Sequence, residues 1–174
     1  DPCPDDEGNG CLWEVEIADQ AAPTEPNFPQ YGAEPSLFVD TRGVLHAAHQ
    51  GTRSDRWLVR YSRSPAPHKW ESETVALSNS VNESIGWRTG IGVDGAGRPE
   101  IVWYDWTAHA VRGAEKHGLS GWAAHLLGAT TLQVPSAVGL DVATSPGGDL
   151  FVPWVRMPGA VGWDLWLSRK PSGG

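Results

Sequence analysis

A tryptophan opens a short strand at three places in this chain, each time just after a turn. The segments begin at Trp13, Trp70 and Trp122, so they are 57 and 52 residues apart. Between them runs a second repeated phrase: an apolar stretch, a tight turn and another apolar stretch. Its copies span residues 37–49, 91–103 and 142–154. A period of about fifty residues that holds only strands is typical of propeller blades.

The turn inside each copy has a physical explanation in its residue types. Asp40 and Asp94 open the first two turns, and Gly43 and Gly97 close them. An aspartate at the first position can accept hydrogen bonds from the N–H groups that follow, and glycine supplies the positive φ. Ser145 opens the third turn and can do the same more weakly. We therefore interpret the two aspartates as structural rather than catalytic.

No segment carries a helical period, so the chain is predicted to be all-β, with helix content near zero apart from a turn within residues 78–88. Residues 19–35 hold four prolines and no periodicity, so they are predicted to be a loop. The predicted strands cover residues 13–18, 36–40, 43–50, 56–63, 70–77, 89–94, 98–105, 109–116, 122–127, 138–144, 149–156 and 162–168.

The order of these strands predicts three four-stranded antiparallel blades. Along the chain there is one outer strand, then two complete blades, then three strands of a third blade. Residues 13–18 can complete the last blade by pairing with residues 162–168, in the same chain or in a neighbour, because open strand edges are otherwise left unpaired. Propellers usually close with about four to eight blades. We therefore expect half of a six-bladed propeller or part of a larger one.

The formal net charge of −8 argues against nucleic acid or an anionic membrane as a partner, since the chain has no basic stripe. No apolar run approaches the roughly 20 residues of a membrane span. His46 and His49 lie three apart on a predicted strand and point to opposite faces. No His-Glu-x-x-His or paired Cys-x-x-Cys motif is present, so no transition-metal site is predicted.

Residues 1–11 are predicted to be a separate acidic lead-in to a unit over residues 12–174. Cys3 and Cys11 flank a turn-rich segment and are predicted to form a disulfide, with two free thiols as the alternative. A disulfide implies an oxidising compartment, so we expect a secreted protein, extracellular or periplasmic. Oxygen ligands for calcium are present in this lead-in, although a solvated acidic tail is the favoured alternative. These ligands are Asp5, Asp6, Glu7 and Asn9.

The densest candidate binding cluster lies at the end of the second copy of the repeat, at Trp103, Tyr104, Asp105 and Trp106. Aromatic faces beside a carboxylate can stack on sugar C–H groups and accept hydrogen bonds from hydroxyls. The equivalent positions in the other copies include His49 and Trp154, which we add to the candidate site. The alternative is that Trp103 and Trp154 pack between blades.

The phrases over residues 39–46 and 93–99 resemble the repeat of bacterial secreted β-propellers of the sialidase-like, BNR-repeat-like superfamily. The strand over residues 58–62, with Trp70 after it, is similar to the same repeat. The resemblance covers residues 12–170 and implies a propeller fold. Enzymes that act on extracellular polysaccharide occur among such propellers.

Three functions follow as hypotheses. The first is a non-catalytic extracellular binding or assembly module, with carbohydrate as a candidate ligand. The second is a structural subunit that assembles by strand exchange as a homodimer or a larger oligomer. The third is a polysaccharide hydrolase or lyase of the sialidase-like type. We rank them in that order, because no catalytic motif accompanies the repeats.

Overall fold

The computed structural model describes residues 16–20, 31–118, 121–129, 140–156 and 164–172. These residues form eleven β-strands in three antiparallel sheets. No helix occurs within these ranges. The predicted all-β class is therefore confirmed.

The first sheet has four strands in the order β1-β2-β3-β4. Its outermost strand β4 contains Trp70, as the repeat predicts. The strands are β1 (Tyr31–Val39), β2 (Leu45–Arg53), β3 (Arg56–Ala66) and β4 (Lys69–Leu77).

The second sheet has the same arrangement, in the order β5-β6-β7-β8. Every residue of β6 is buried, because other sheets cover both of its faces. The strands are β5 (Trp87–Val93), β6 (Pro99–Asp105), β7 (Ala110–Lys116) and β8 (Trp122–Ala129).

The third sheet has three strands in the described part of the chain, in the order β11-β10-β9. They are β9 (Ala143–Thr144), β10 (Leu150–Arg156) and β11 (Asp164–Lys170). The innermost strands of the three sheets are neighbours, since β1 contacts β5 and β5 contacts β9. The sheets therefore follow one another like the blades of a propeller, as the repeats predict.

Two apolar cores hold the sheets together, and alternate residues of β6 supply both. Ile101 and Trp103 belong to the core between the first and second sheets. Val102 and Tyr104 belong to the core between the second and third sheets. Successive side chains of a strand point to opposite faces. Burial of the apolar side chains in these two cores is the main contribution that stabilises the stack of sheets.

The turns at residues 40–43, 94–97 and 145–148 join the two innermost strands of each sheet, and we call them the inner turns. They have the structural role that their sequences predict. The Oδ1 atom of Asp94 accepts hydrogen bonds from the N–H groups of Ala96 and Arg98, at 2.9 Å each. The Oδ1 atom of Asp40 likewise accepts hydrogen bonds from the N–H groups of Arg42 and Val44. The hydroxyl of Ser145 accepts one such bond, at 3.1 Å, from the N–H group four residues later.

The start of β1 corrects the prediction of a loop over residues 19–35. Residues 31–35 belong to β1, although the pairing with β2 shifts register twice between Tyr31 and Ser36. Gly32 and Glu34 have positive φ angles of 91° and 50°. These irregularities break the alternation of side chains, so the sequence pattern does not reveal the strand.

The described N-terminal segment corrects the predicted closure of the last blade. Residues 16–18 form no strand, and they lie against the first sheet rather than beside β11. The Trp70 Nε1–H group donates to Glu16 at 2.8 Å, and the Ser72 hydroxyl donates to the Ala18 carbonyl at 3.2 Å. Pairing of residues 16–18 with residues 162–168 of the same chain is therefore wrong, and residues 13–15 lie outside the described residues.

The physical reason for this placement is a buried ion pair. The Asp19 carboxylate accepts hydrogen bonds from the Nε and Nη2 atoms of Arg60, at 2.8 and 2.9 Å. His49 Nε2 lies 3.0 Å from the same carboxylate. Alternation places His49 on the face of the first sheet opposite Ala48, which belongs to the core shared with the second sheet. Residues 16–20 therefore cover the outer face of the first sheet.

Candidate functional site

The predicted aromatic cluster lies at the end of β6 that is remote from the inner turns. Tyr104 is fully buried and Trp103 nearly so, whereas Trp106 keeps part of its surface accessible. The rings of Tyr104 and Trp106 meet edge to face, with centroids 6.2 Å apart. Burial raises the pKa of Tyr104, and the neighbouring Asp105 carboxylate adds to the shift.

The carboxylate of Asp105 is engaged locally. Its Oδ1 atom accepts a hydrogen bond from the Ala108 N–H group at 2.9 Å. Its Oδ2 atom accepts one from Arg112 Nε at 2.7 Å. These bonds close the turn between β6 and β7, so Asp105 stabilises the hairpin.

The structure brings together only part of the predicted set. Trp154 is buried in the same core as Tyr104, and Trp106 packs against that core. Trp103 packs on the other side of the second sheet, and His49 lies on the outer face of the first. Packing between blades is thus the observed environment of both Trp103 and Trp154. A binding role for the set stays a prediction, in which Trp106 offers the accessible surface.

A first cavity, of about 620 Å³, lies where the three inner turns converge. Residues 40–42, 94–97 and 144–148 supply most of its lining. The carboxylate oxygens of Asp40 and Asp94 already accept backbone hydrogen bonds in their own turns. The cavity therefore presents mainly backbone and small side chains.

A second cavity, of about 720 Å³, opens between the first and second sheets at the same end of the molecule. We call it the inter-sheet cleft. Both sheets contribute side chains to it, and most of these are polar or charged. The polar lining consists of Arg42, His46, Tyr61, Arg63, Glu71, Ser72, Glu73, Arg98 and Lys116, and the apolar lining includes Val44, Pro65 and Pro99.

The inner wall of the inter-sheet cleft is a buried hydrogen-bonded pair. His46 Nδ1 lies 2.7 Å from the hydroxyl of Tyr61, and their rings are stacked with centroids 6.0 Å apart. Burial lowers the pKa of His46, and it raises the pKa of Tyr61 far above its usual range. Both side chains are therefore neutral near pH 7 and can serve as fixed polar groups.

Ion pairs form the mouth of the inter-sheet cleft. Arg63 and Glu71 pair across β3 and β4, at 2.6 Å. Lys116 of the second sheet reaches across to Glu73 of the first and contacts both carboxylate oxygens at 2.6 Å. The Lys116 ammonium also lies 5.4 Å from the centre of the Trp122 ring, within cation–π range.

The sequence interpretation missed these side chains, although the pattern holds a signal for them. Glu71 and Glu73 are two residues apart and so share one face of β4. Lys116 and Lys170 each end a strand next to an inner turn, in the second and third sheets. Lys170 likewise contacts acidic residues of the preceding sheet, with Glu115 at 2.8 Å. A lysine at the same position in two repeats therefore indicates an ion pair that links each sheet to the one before it.

Some predicted features lie outside the described residues. These are the lead-in over residues 1–11, the Cys3–Cys11 disulfide and the calcium ligands Asp5, Asp6, Glu7 and Asn9. Within the described ranges, no three His, Cys, Asp or Glu side chains gather in a group that could hold a metal ion. The same ranges contain no helix with the length and apolar character to cross a membrane.

Comparison with known proteins identifies no family. No family model matches the chain. No curated protein matches it either. Among solved structures, a fucose lectin from Kordia zhangzhouensis in complex with methyl-fucoside is similar, with a TM-score of 0.49 and 13% sequence identity. The match covers 80% of this chain and 98% of the lectin.

Proposed function

We propose that the chain binds saccharide in the inter-sheet cleft without converting it. The observation that carries the proposal is the cleft itself. Its volume of about 720 Å³ lies within the usual range of small-molecule sites, and polar groups converge on it from two sheets. The rigid strands that bear these groups favour a preformed site.

Saccharide fits the chemistry of the lining. A sugar hydroxyl both donates and accepts hydrogen bonds, and each ion pair at the mouth offers N–H donors beside carboxylate acceptors. The Arg63–Glu71 pair and the Lys116–Glu73 pair are two such groups. Val44 and the two prolines supply apolar surface for the C–H groups of a sugar ring.

Binding without conversion is the version that we favour. A glycoside hydrolase needs one carboxylic acid that donates a proton and a second carboxylate that acts on the sugar. Glu71 and Glu73 both accept hydrogen bonds from cations. Their arrangement suits hydrogen bonding to hydroxyls rather than proton donation.

A glycan array followed by calorimetric titration tests the proposal. We expect Arg63→Ala to weaken binding of any captured glycan by about tenfold or more, as the loss of a charge-assisted hydrogen bond predicts. Arg53→Ala is the matched control, because Arg53 lies at the opposite end of the first sheet. A folded protein that binds no glycan would overturn the proposal. Loss of binding in Trp106→Ala but not in Arg63→Ala would move the site to the predicted aromatic cluster.

We also propose self-association with a second copy of the chain. Leu165 and Leu167 on β11 are 76% and 64% exposed and share one face of the strand. An exposed apolar edge strand favours pairing with another chain. A second copy is the favoured partner because the described ranges form three sheets, and propellers usually close with about four to eight blades.

Light scattering tests self-association. We expect a dimer or larger species at micromolar concentration and a shift to monomer in the double variant Leu165→Lys, Leu167→Lys. The matched control is Leu126→Lys, since Leu126 is similarly exposed but lies on β8. A wild-type protein that stays monomeric throughout would exclude this function.

A further inference from the structure

We propose that the inter-sheet cleft selects neutral saccharides over acidic ones. This inference rests on the proposed function and gives it a ligand class. It also departs from what a sialidase-like repeat implies, because a sialidase substrate carries a carboxylate. The argument comes from how the charges of the cleft are paired.

Two cations of the cleft belong to the first sheet, and a carboxylate of the same sheet pairs with each of them. Arg42 Nη2 lies 2.9 Å from Asp40 Oδ2. Arg63 Nη2 lies 2.6 Å from Glu71 Oε2. Each guanidinium therefore has its charge compensated before any ligand arrives.

The other two cations belong to the second sheet, and carboxylates also pair with each of them. Lys116 contacts Glu73 of the first sheet at 2.6 Å. Arg98 lies 2.8 Å from Asp94 and 3.0 Å from Glu115. Burial lowers the pKa of His46, so this ring adds no positive charge near neutral pH.

The four positive charges that line the cleft are thus cancelled locally. An incoming carboxylate or sulfate would have to displace Glu71 or Glu73 from its cation. Two anions would then face one cation at short range, and the repulsion between the anions disfavours this arrangement. A neutral hydroxyl can instead insert beside an intact ion pair, because it donates to the carboxylate and accepts from the cation.

The spacing of the two exposed pairs suits a single sugar ring. Glu71 and Glu73 lie two residues apart on β4, which places them about 7 Å apart on one face. Their cations come from opposite walls, Arg63 from β3 and Lys116 from β7. A pyranose with hydroxyls at both ends can therefore contact both pairs at once.

Titration with matched pairs of sugars tests the inference. The probes are glucose with glucuronate and galactose with galacturonate, because each pair differs only in a hydroxymethyl group and a carboxylate. We expect the neutral member to bind at least about tenfold more tightly than the acidic member. Its affinity should also change little between low and high salt, since no net charge is neutralised.

A charge variant provides the second measurement. Glu71→Gln removes the carboxylate partner of Arg63, so the affinity ratio of acidic to neutral sugar should rise about tenfold. The matched control is Glu83→Gln, because Glu83 lies outside the cleft and contacts Asn79. Equal or tighter binding of the acidic member by the wild-type protein overturns the selectivity and leaves saccharide binding in place. Failure of all four sugars and of the glycan array overturns both proposals.

Discussion

Lys116 on β7 donates hydrogen bonds to both carboxylate oxygens of Glu73 on β4, with N–O distances of 2.6 Å. The pair joins two sheets that also share an apolar core and a buried hydrogen bond from the Thr89 hydroxyl to the Ala48 carbonyl. Lys170 ends the corresponding strand of the third sheet and contacts Glu100 and Glu115 of the second. The repeat therefore carries an electrostatic link between successive sheets as well as the strand pattern.

Replacing Lys116 should weaken the contact between the first two sheets. We expect Lys116→Met to lower the free energy of unfolding by about 0.5–1 kcal/mol, because both partners are partly exposed and solvent screens the pair. Urea denaturation measures the change. Lys69→Met is the matched control, since Lys69 is exposed at the start of β4. Equal losses in the two variants would show that the link contributes nothing specific.

Acid should destabilise the fold through the turn aspartates. Burial alone raises the pKa of Asp40, but hydrogen bonds from the Val44 and Arg42 N–H groups and from the Arg42 guanidinium lower it to about 2. The unfolded carboxyl has a pKa of about 3.9. The stabilisation is therefore complete above about pH 5 and is lost as the pH falls through 4 toward 2.

The Asp40→Asn variant isolates this contribution. We expect its free energy of unfolding to fall less steeply between pH 5 and pH 3 than that of the wild-type protein. Urea denaturation at a series of pH values provides both curves. Parallel curves would mean that Asp40 does not contribute to the acid sensitivity.

The sequence predicts the scaffold well because the scaffold repeats. The Asp94 turn and the tryptophan at the start of β8 are local patterns, and each predicts its element correctly. The strand predicted over residues 36–40 begins earlier, at Tyr31, and residues 31–35 were missed because they pair irregularly with β2. Local patterns identify a strand only where its side chains alternate regularly.

The candidate site was harder to predict because it depends on contacts between distant residues. Lys116 and Glu73 are separated by 43 residues, and Asp19 and Arg60 by 41. No local spacing relates the members of such pairs. The sequence predicts a sugar platform that includes Trp103 and Tyr104, but β6 is covered on both faces. Burial of a strand end follows from the stacking of whole sheets rather than from its own sequence.

The close approach of β8 to the third sheet depends on Gly128. A Cβ atom at this position would lie 2.5 Å from Cζ2 of the buried Trp154 ring. We expect Gly128→Ala to cost about 1–3 kcal/mol in the free energy of unfolding, because the ring must shift within a packed core. Thermal and urea denaturation both report this change.

Gly147 supplies the control for that substitution. A Cβ atom there would meet only the Ser145 hydroxyl, at 3.8 Å. Gly147→Ala should therefore leave the stability nearly unchanged. A Gly128→Ala protein as stable as Gly147→Ala would mean that Trp154 moves aside at little cost.

The segment over residues 16–20 should be fastened to the first sheet mainly by Asp19. Burial opposes ionisation of this carboxyl, but hydrogen bonds from His49 and Arg60 hold its pKa well below the usual range. The side chains of Asp19 and Arg60 are only 7% and 13% exposed. Asp19→Ala should therefore cost about 3 kcal/mol, since it leaves a largely buried guanidinium without its carboxylate.

Glu16→Ala is the matched control within the same segment. Glu16 contacts the exposed His68 and the indole N–H of Trp70 near the protein surface, so its loss should cost less than about 1 kcal/mol. Urea denaturation of the two variants compares a buried and an exposed anchor of one short segment. If both variants lose the same small amount, the first sheet is stable without the segment, and its outer face is accessible to another sheet. If only Asp19→Ala is strongly destabilised, residues 16–20 are an integral cover of that face, because the buried charge of Arg60 requires them.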